Sequence, residues 1–180
     1  MELNLKGKKA IVTGGASGIG FAIVKALAAE GVKVAFTSRK QDMLDQALSE
    51  LGGSASGHYG VCANITDEDG PTKIATDIKK NFGDVDIVVN NVGDTSGITD
   101  PFCSIADWRR VFRLNLEVHI EINNAFLPKM IEKKWGRIVN ISAGAGMENS
   151  GPVPYCSMKS AYIAYTRSMA RVLATTGVVM

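Results

Sequence analysis

Along the chain, short apolar runs rich in β-branched residues alternate with longer stretches whose apolar positions return every three or four residues. The runs Lys9–Thr13 (KAIVT), Val32–Thr37 (VKVAFT), His58–Ala63, Asp86–Asn90 (DIVVN) and Arg137–Ile141 (RIVNI) predict five strands. Three apolar stripes lie between them: Ile19, Ile23 and Leu27 closed by Gly31, Leu44, Leu48 and Leu51 closed by Gly52 and Gly53, and Ile74, Ile78 and Phe82 closed by Gly83. Each predicts a helix with its stop. A long helix is predicted from Ser104 to about Met130, with Trp108, Val111, Phe112 and Leu116 as one apolar face, and another from about Pro154 to Leu173. DIVVN has no polar face, which suits a strand covered on both sides. Such alternation predicts βαβ units and a parallel sheet, and right-handed crossovers leave chiefly the doubly wound arrangement.

No linker, repeat or low-complexity stretch interrupts the pattern, so residues 1–180 read as one domain. With 46% apolar and 21% charged residues the composition is that of an ordinary globular chain, and roughly 70% of its extended surface can be buried without staples. Twenty basic and 18 acidic side chains give +2, without the concentrated basic face of a nucleic-acid binder. Cys62, Cys103 and Cys156 are odd in number, far apart and free of any C-x-x-C pair, which argues for reduced thiols and a cytoplasmic location. His58 and His119 lack ligand-spaced partners, so no metal is expected. The N-terminus MELNLKGKKA has no apolar leader core, and no run approaches the ~18 residues of a membrane span.

The turn after the first strand, TGGASGIG, puts glycines at 14, 18 and 20, where the chain must turn tightly and bring bare backbone up to a ligand. A helix beginning near Gly18 would aim free N–H groups at a pyrophosphate. After the second strand come Thr37, Ser38, Arg39 and Lys40, with no carboxylate for a ribose 2′-OH. A guanidinium beside a hydroxyl suits a 2′-phosphate, so the expected cofactor is NADP (NADPH) rather than NAD. Asn90, Asn91 and Gly93 end the fourth strand, where two amides can pair with neighbouring loops. Asn115 stands inside an apolar helical stretch and needs a specific partner. Tyr155 and Lys159 are spaced i, i+4 and share a helix face, so the ammonium should lower the phenol pKa and fit it for acid–base work.

Taken in order, TGxxxGIG, NNxG, the interior Asn, a serine-bearing fifth strand and Tyr-x-x-x-Lys resemble the short-chain dehydrogenase/reductase family over the whole chain. The resemblance implies a Rossmann-type doubly wound parallel sheet in three α/β/α layers, lacking the last strands of the family. It implies that Gly14, Ser17, Gly18, Ile19 and Gly20 line the pyrophosphate, Ser38 and Arg39 the 2′-phosphate, Asn64 and Ile65 the adenine, and Asn91 and Gly93 the ribose. Asn64 replaces the usual Asp. Tyr155 would donate a proton to a ketone, Lys159 would hold the nicotinamide ribose, and Asn115 would anchor a water behind Lys159. The implied partners are a small carbonyl or alcohol substrate, of the 3-oxoacyl kind, and further copies of the chain in a homodimer or homotetramer.

The fifth-strand ending departs from the family. Aligned on Asn140 and Gly146, NISAGAG puts Ala143 at the catalytic serine position, whereas counting back from Tyr155 selects Ser142, with Ser150 as a third candidate. Ser142 is the expected catalytic hydroxyl, and losing such a donor costs roughly 2–4 kcal/mol of transition-state stabilisation. A dinucleotide-binding protein without turnover is the alternative. The chain also stops at TTGVVM, where a sixth strand should be starting, and is expected to leave a sheet edge open and to grip nicotinamide weakly.

Overall fold

The structure, a computed structural model, describes residues 3–180; Met1 and Glu2, the start of the N-terminal stretch assessed as a possible leader, lie outside the described residues. Strands β1 (Lys9–Val12), β2 (Lys33–Ser38), β3 (Tyr59–Cys62), β4 (Ile87–Asn90), β5 (Gly136–Asn140) and β6 (Val178–Val179) form one sheet in the order β3-β2-β1-β4-β5-β6. Every pairing is parallel. Helices α1 (Gly18–Ala29), α2 (Gln41–Glu50), α3 (Gly70–Asn81), α4 (Ile105–Phe112), α5 (Val118–Glu132), α6 (Ala145–Glu148) and α7 (Val153–Leu173) connect the strands. The sixth strand is already formed here, two residues pairing with Gly136 and Arg137.

Because successive strand residues face opposite ways, β1 sends Ile11 into one apolar cluster and Ala10 and Val12 into another. The first cluster contains Ile74 and Ile78 of α3 and Ile122, Phe126 and Met130 of α5; the second contains Val24 of α1 and Leu44 of α2. This is the doubly covered parallel sheet that the alternation predicts.

Three local expectations are corrected. The α1 stripe does not bury as a whole: Gly20 and Val24 face the sheet, while Ile19 is 68% exposed. Gly20 packs bare backbone against the Gly14 carbonyl and the Asn91 amide, and Val24 packs into the core, which leaves Ile19 on the outer side. The helix expected from Ser104 to Met130 is broken by a π-helical stretch, Arg113–Glu117. Trp108, Val111, Phe112 and Leu116 do not form one face: within α4 Val111 is fully buried while its neighbour Phe112 is exposed, and Leu116 falls in the wider π-helical turn, which shifts the register after α4. The short α6 had no periodic signal. Gly146 lets it pack on α7, since a Cβ there would lie 2.7 Å from the Lys159 carbonyl carbon.

Candidate active site

The loops after β1 and β4 lead to opposite sides of the sheet, which opens a crevice at the carboxyl ends of the strands. A cleft of about 960 Å³ occupies it, lined by Gly14, Ser17, Ile19, Gly20, Ser38, Arg39, Asn64, Ile65, Asn91 and Gly93. Gly14 and Gly18 have left-handed backbones, φ +64° and +54°, and a Cβ on Gly20 would stand 2.2 Å from the Gly14 carbonyl oxygen. The turn therefore closes only as bare backbone. Ser17 caps α1 without a side-chain capping bond, leaving its hydroxyl and the first N–H groups of the helix able to take an anion.

Two threonines that looked like ordinary strand residues hold this turn in place. Thr13 Oγ1 accepts from the Asn91 and Val92 backbone N–H groups at 2.9 and 3.3 Å, and Thr37 Oγ1 accepts from Gly14 N at 3.0 Å. Asn91 Nδ2 donates back to the Thr13 carbonyl at 3.1 Å. Only Asn91 of the adjacent amides pairs with the crevice loops. Asn90 turns inward, donating to Asn123 Oδ1 at 2.8 Å and Asn140 Oδ1 at 2.9 Å, and the Tyr162 hydroxyl donates to the same Asn140 oxygen at 2.9 Å.

At the end of β2, Arg39 is exposed and, among the described residues, has no ion pair. Asn64 lines the cleft, but its amide closes its own loop, donating to Asp67 Oδ1 at 2.7 Å and accepting from the Thr66 hydroxyl at 2.9 Å. Arg113 clamps that loop from the π-helical stretch, donating to the Asp67 carbonyl at 2.8 Å while pairing with Glu117 at 3.3 Å and with Glu121. No motif marked Arg113; a lone arginine at a helix surface looks like a solvated charge.

Asn115 is fully buried within the π-helical stretch. Its Nδ2 donates to the carbonyls of Asp94 at 2.8 Å and Val111 at 2.9 Å, and its Oδ1 accepts from Asp94 N at 3.2 Å. The side chain thus ties the loop after β4 to the helix. Both donors of its amide are engaged, while Oδ1 keeps a second lone pair.

Tyr155 and Lys159 share one face of α7, with Nζ 5.7 Å from the Tyr155 ring centroid. Lys159 is almost fully buried and donates to the Ile141 carbonyl at 3.2 Å. A Cβ on Gly93 would lie 2.6 Å from Nζ and 3.0 Å from Asn115 Oδ1, so only glycine allows this approach. Burial lowers Lys159 to about 8. The expected lowering of the Tyr155 phenol is not seen: burial first, then the Asp94 and Cys156 charges, push it above its usual value. The ammonium lies too far over the ring to outweigh the cost of partial burial.

The Ser142 hydroxyl donates to the Lys159 carbonyl at 3.4 Å, next to the helix that carries Tyr155. Neither Ser142 nor Ala143 lines the cleft, and Ser150 is exposed. Tyr155 and Lys159 likewise lie beyond its lining, joined to it through Gly93. Among the described residues no group of three His, Cys, Asp or Glu side chains could hold a metal, and no helix is long and apolar enough to cross a membrane. Cys62, Cys103 and Cys156 are free thiols.

The sequence pattern of the short chain dehydrogenase family matches residues 8–180. The chain belongs to this family. It is 35% identical to the 3-oxoacyl-(acyl-carrier-protein) reductase FabG of Aquifex aeolicus, covering all of this chain and 73% of that protein. It is also 35% identical to the uncharacterized oxidoreductase YvrD of Bacillus subtilis, over 99% of this chain and 67% of the relative. Among solved structures, a 7α-hydroxysteroid dehydrogenase complexed with NADH and 7-oxo glycochenodeoxycholic acid superposes with a TM-score of 0.89 at 29% identity, over 98% of this chain and 69% of that one. A short-chain dehydrogenase from Novosphingobium aromaticivorans gives 0.87 at 29% identity, over 98% and 67%. The chain spans about two thirds to three quarters of the length of these relatives, and as a short-chain dehydrogenase it is an oxidoreductase.

Proposed function

We propose that residues 1–180 act as one dinucleotide-binding domain that transfers hydride between NADP(H) and a ketone or secondary alcohol, a reductase of the 3-oxoacyl kind. The observation that carries this reading is the contact at Gly93, a cleft residue over which Lys159 Nζ closes, so that the Tyr155–Lys159 pair abuts the inner end of the cleft. The bare-backbone turn at Gly14, Gly18 and Gly20, with Ser17 and Ile19 at the helix start, fits a pyrophosphate. Ser38 and the ion-pair-free Arg39 fit a 2′-phosphate, Asn64 and Ile65 flank the adenine, and Asn91 and Gly93 border the ribose. Bound there, the cofactor supplies the hydride.

Tyr155 carries a phenol held in its protonated form, which suits a donor to the carbonyl oxygen of a substrate being reduced. Lys159, an ammonium below about pH 8, takes the ribose hydroxyls, and Asn115 fixes the loop carrying Gly93 and Asp94. Ser142 is the hydroxyl assigned to the substrate carbonyl, and it must rotate off the Lys159 carbonyl to reach it. The FabG relatives carry 3-oxoacyl reductase names, which supports that substrate class, while the hydroxysteroid dehydrogenase complex contains NADH and keeps NAD as the competing cofactor. Reduced thiols at all three cysteines favour the cytoplasm, and the exposed Phe112 and Val172 on α4 and α7 favour assembly into a homodimer or homotetramer.

A second reading, dinucleotide binding without turnover, is favoured by Ala143 and by the placement of the Ser142 hydroxyl. NADPH oxidation with a panel of 3-oxoacyl esters, diketones and quinones separates the two. The first reading expects turnover that Tyr155→Phe abolishes; no turnover with any of these compounds, together with an unchanged result for Tyr155→Phe, would count against it and favour the second.

A further inference from the structure

Asn115, His119 and Asn123 recur every four residues along the inner face of the helical rod formed by α4, the π-helical stretch and α5, and all three are fully buried. The two amides are hydrogen bonded, whereas among the described residues neither ring nitrogen of His119 has a partner. The imidazole stacks on Tyr162 with centroids 4.9 Å apart, and Lys159 Nζ stands 5.5 Å from the centroid of that same tyrosine ring. The Val92 backbone carbonyl lies beside the imidazole without closing a hydrogen bond of normal geometry.

Burial, and then the Lys159 charge, lower His119 to about 3, so it is neutral at any working pH. A neutral imidazole presents one N–H and one bare lone pair. Lys159 has three N–H donors, of which one is directed at Ile141. The imidazole and the ammonium lie against one tyrosine ring, with the Val92 carbonyl beside the first and the Ile141 carbonyl bonded to the second, and such groups are the two to four polar partners that buried waters require.

We propose that His119 is a positioning residue for Lys159, its lone pair holding an ammonium N–H through one bridging water. The ammonium is thereby aimed past Gly93, where the proposal for the whole site has it meet the cofactor ribose; the inference rests on that reading of Lys159. His119 does not carry the proton: burial and the Lys159 charge hold its pKa well below that of Lys159, so the proton stays on the ammonium. The other titratable groups packed here are Tyr155, Tyr162 and Tyr165 of α7, the last two also raised by burial, and Asp94 on the loop after β4. Lys159 is therefore the cation that His119 meets.

His58 and His119 are the only histidines of the chain, so the imidazole ¹⁵N spectrum of the whole protein holds two spin systems, and His58→Gln assigns them. The expected result is a neutral His119 whose unprotonated nitrogen shows the shift of a hydrogen-bond acceptor, and moves to the free lone-pair position in Lys159→Met. A free lone pair in the wild type, or a resonance unmoved by Lys159→Met, overturns the proposal. Kinetics supply a second arm. His119→Phe keeps the stack and should move the basic limb of the kcat/KM profile down by about one pH unit, since the ammonium loses an acceptor, whereas His119→Gln should restore it. Equal profiles for the two variants also overturn the proposal. A His119–Lys159 coupling seen by NMR, with NADPH binding indifferent to Lys159→Met, would instead refute the ribose role of Lys159.

Discussion

Replacing Asn115 with Ala tests whether the π-helical stretch and the loop after β4 are held as one unit. The substitution removes the hydrogen bonds to the Asp94 and Val111 carbonyls and from the Asp94 N–H. At roughly 1 kcal/mol net for each bond, the folded state should lose about 3 kcal/mol. For a chain of this size that corresponds to a melting point lower by roughly 6–12 °C. The Val111 carbonyl has no access to water to soften the loss, while the partly buried Asp94 groups can be partly rehydrated, so about 2 kcal/mol is the lower bound. Urea unfolding followed by far-UV circular dichroism measures the change, provided that the slope with denaturant stays that of the wild type. Asn115→Asp should be no better at neutral pH, because a carboxylate would face the two carbonyls that the amide satisfied. A loss clearly below that lower bound of about 2 kcal/mol for Asn115→Ala would refute the account of this side chain as the tie between helix and loop.

Two further outcomes follow from side chains outside the reacting centre. His58 Nδ1 accepts from Val34 N at 3.1 Å, and burial, then Lys33, lower its pKa below 6.5. The unfolded chain therefore takes up the proton first, so this contribution is complete above about pH 6.5 and is lost as the pH falls below it. His58→Gln should flatten that part of a stability–pH curve; an unchanged curve would contradict the assignment. Arg113→Leu removes the clamp on the Asn64–Glu68 loop, including the 2.8 Å bond to the Asp67 carbonyl. Its amide hydrogen exchange should rise a little over tenfold, for the loss of about 1.5 kcal/mol, with NADPH binding weakened alongside.

The layering was legible because β4 is apolar on both faces and the α2 and α3 stripes are clean. The π-helical stretch was not, because an i→i+5 widening leaves no mark in residue spacing; only Asn115, out of place in an apolar run, hinted that something local occurred there. The glycine turn and Arg39 could be singled out because the chemistry expected of them follows from position after a strand. Thr13, Thr37 and Arg113 could not, since what makes them matter is which backbone groups come to them from distant segments. His119 looked inert for the same reason: its isolation in sequence says nothing of a burial site shared with Lys159 and Tyr162.

The most direct test of the cofactor reading is a fluorescence titration of NADPH and NADH with the wild-type protein and with Arg39→Ala. The account predicts saturable binding with NADPH favoured at least tenfold, the roughly 1.4 kcal/mol or more that a guanidinium–phosphate contact supplies, and a preference that Arg39→Ala erases by weakening NADPH alone. Equal or tighter binding of NADH to the wild type, or an Arg39→Ala variant that still prefers NADPH, would contradict it.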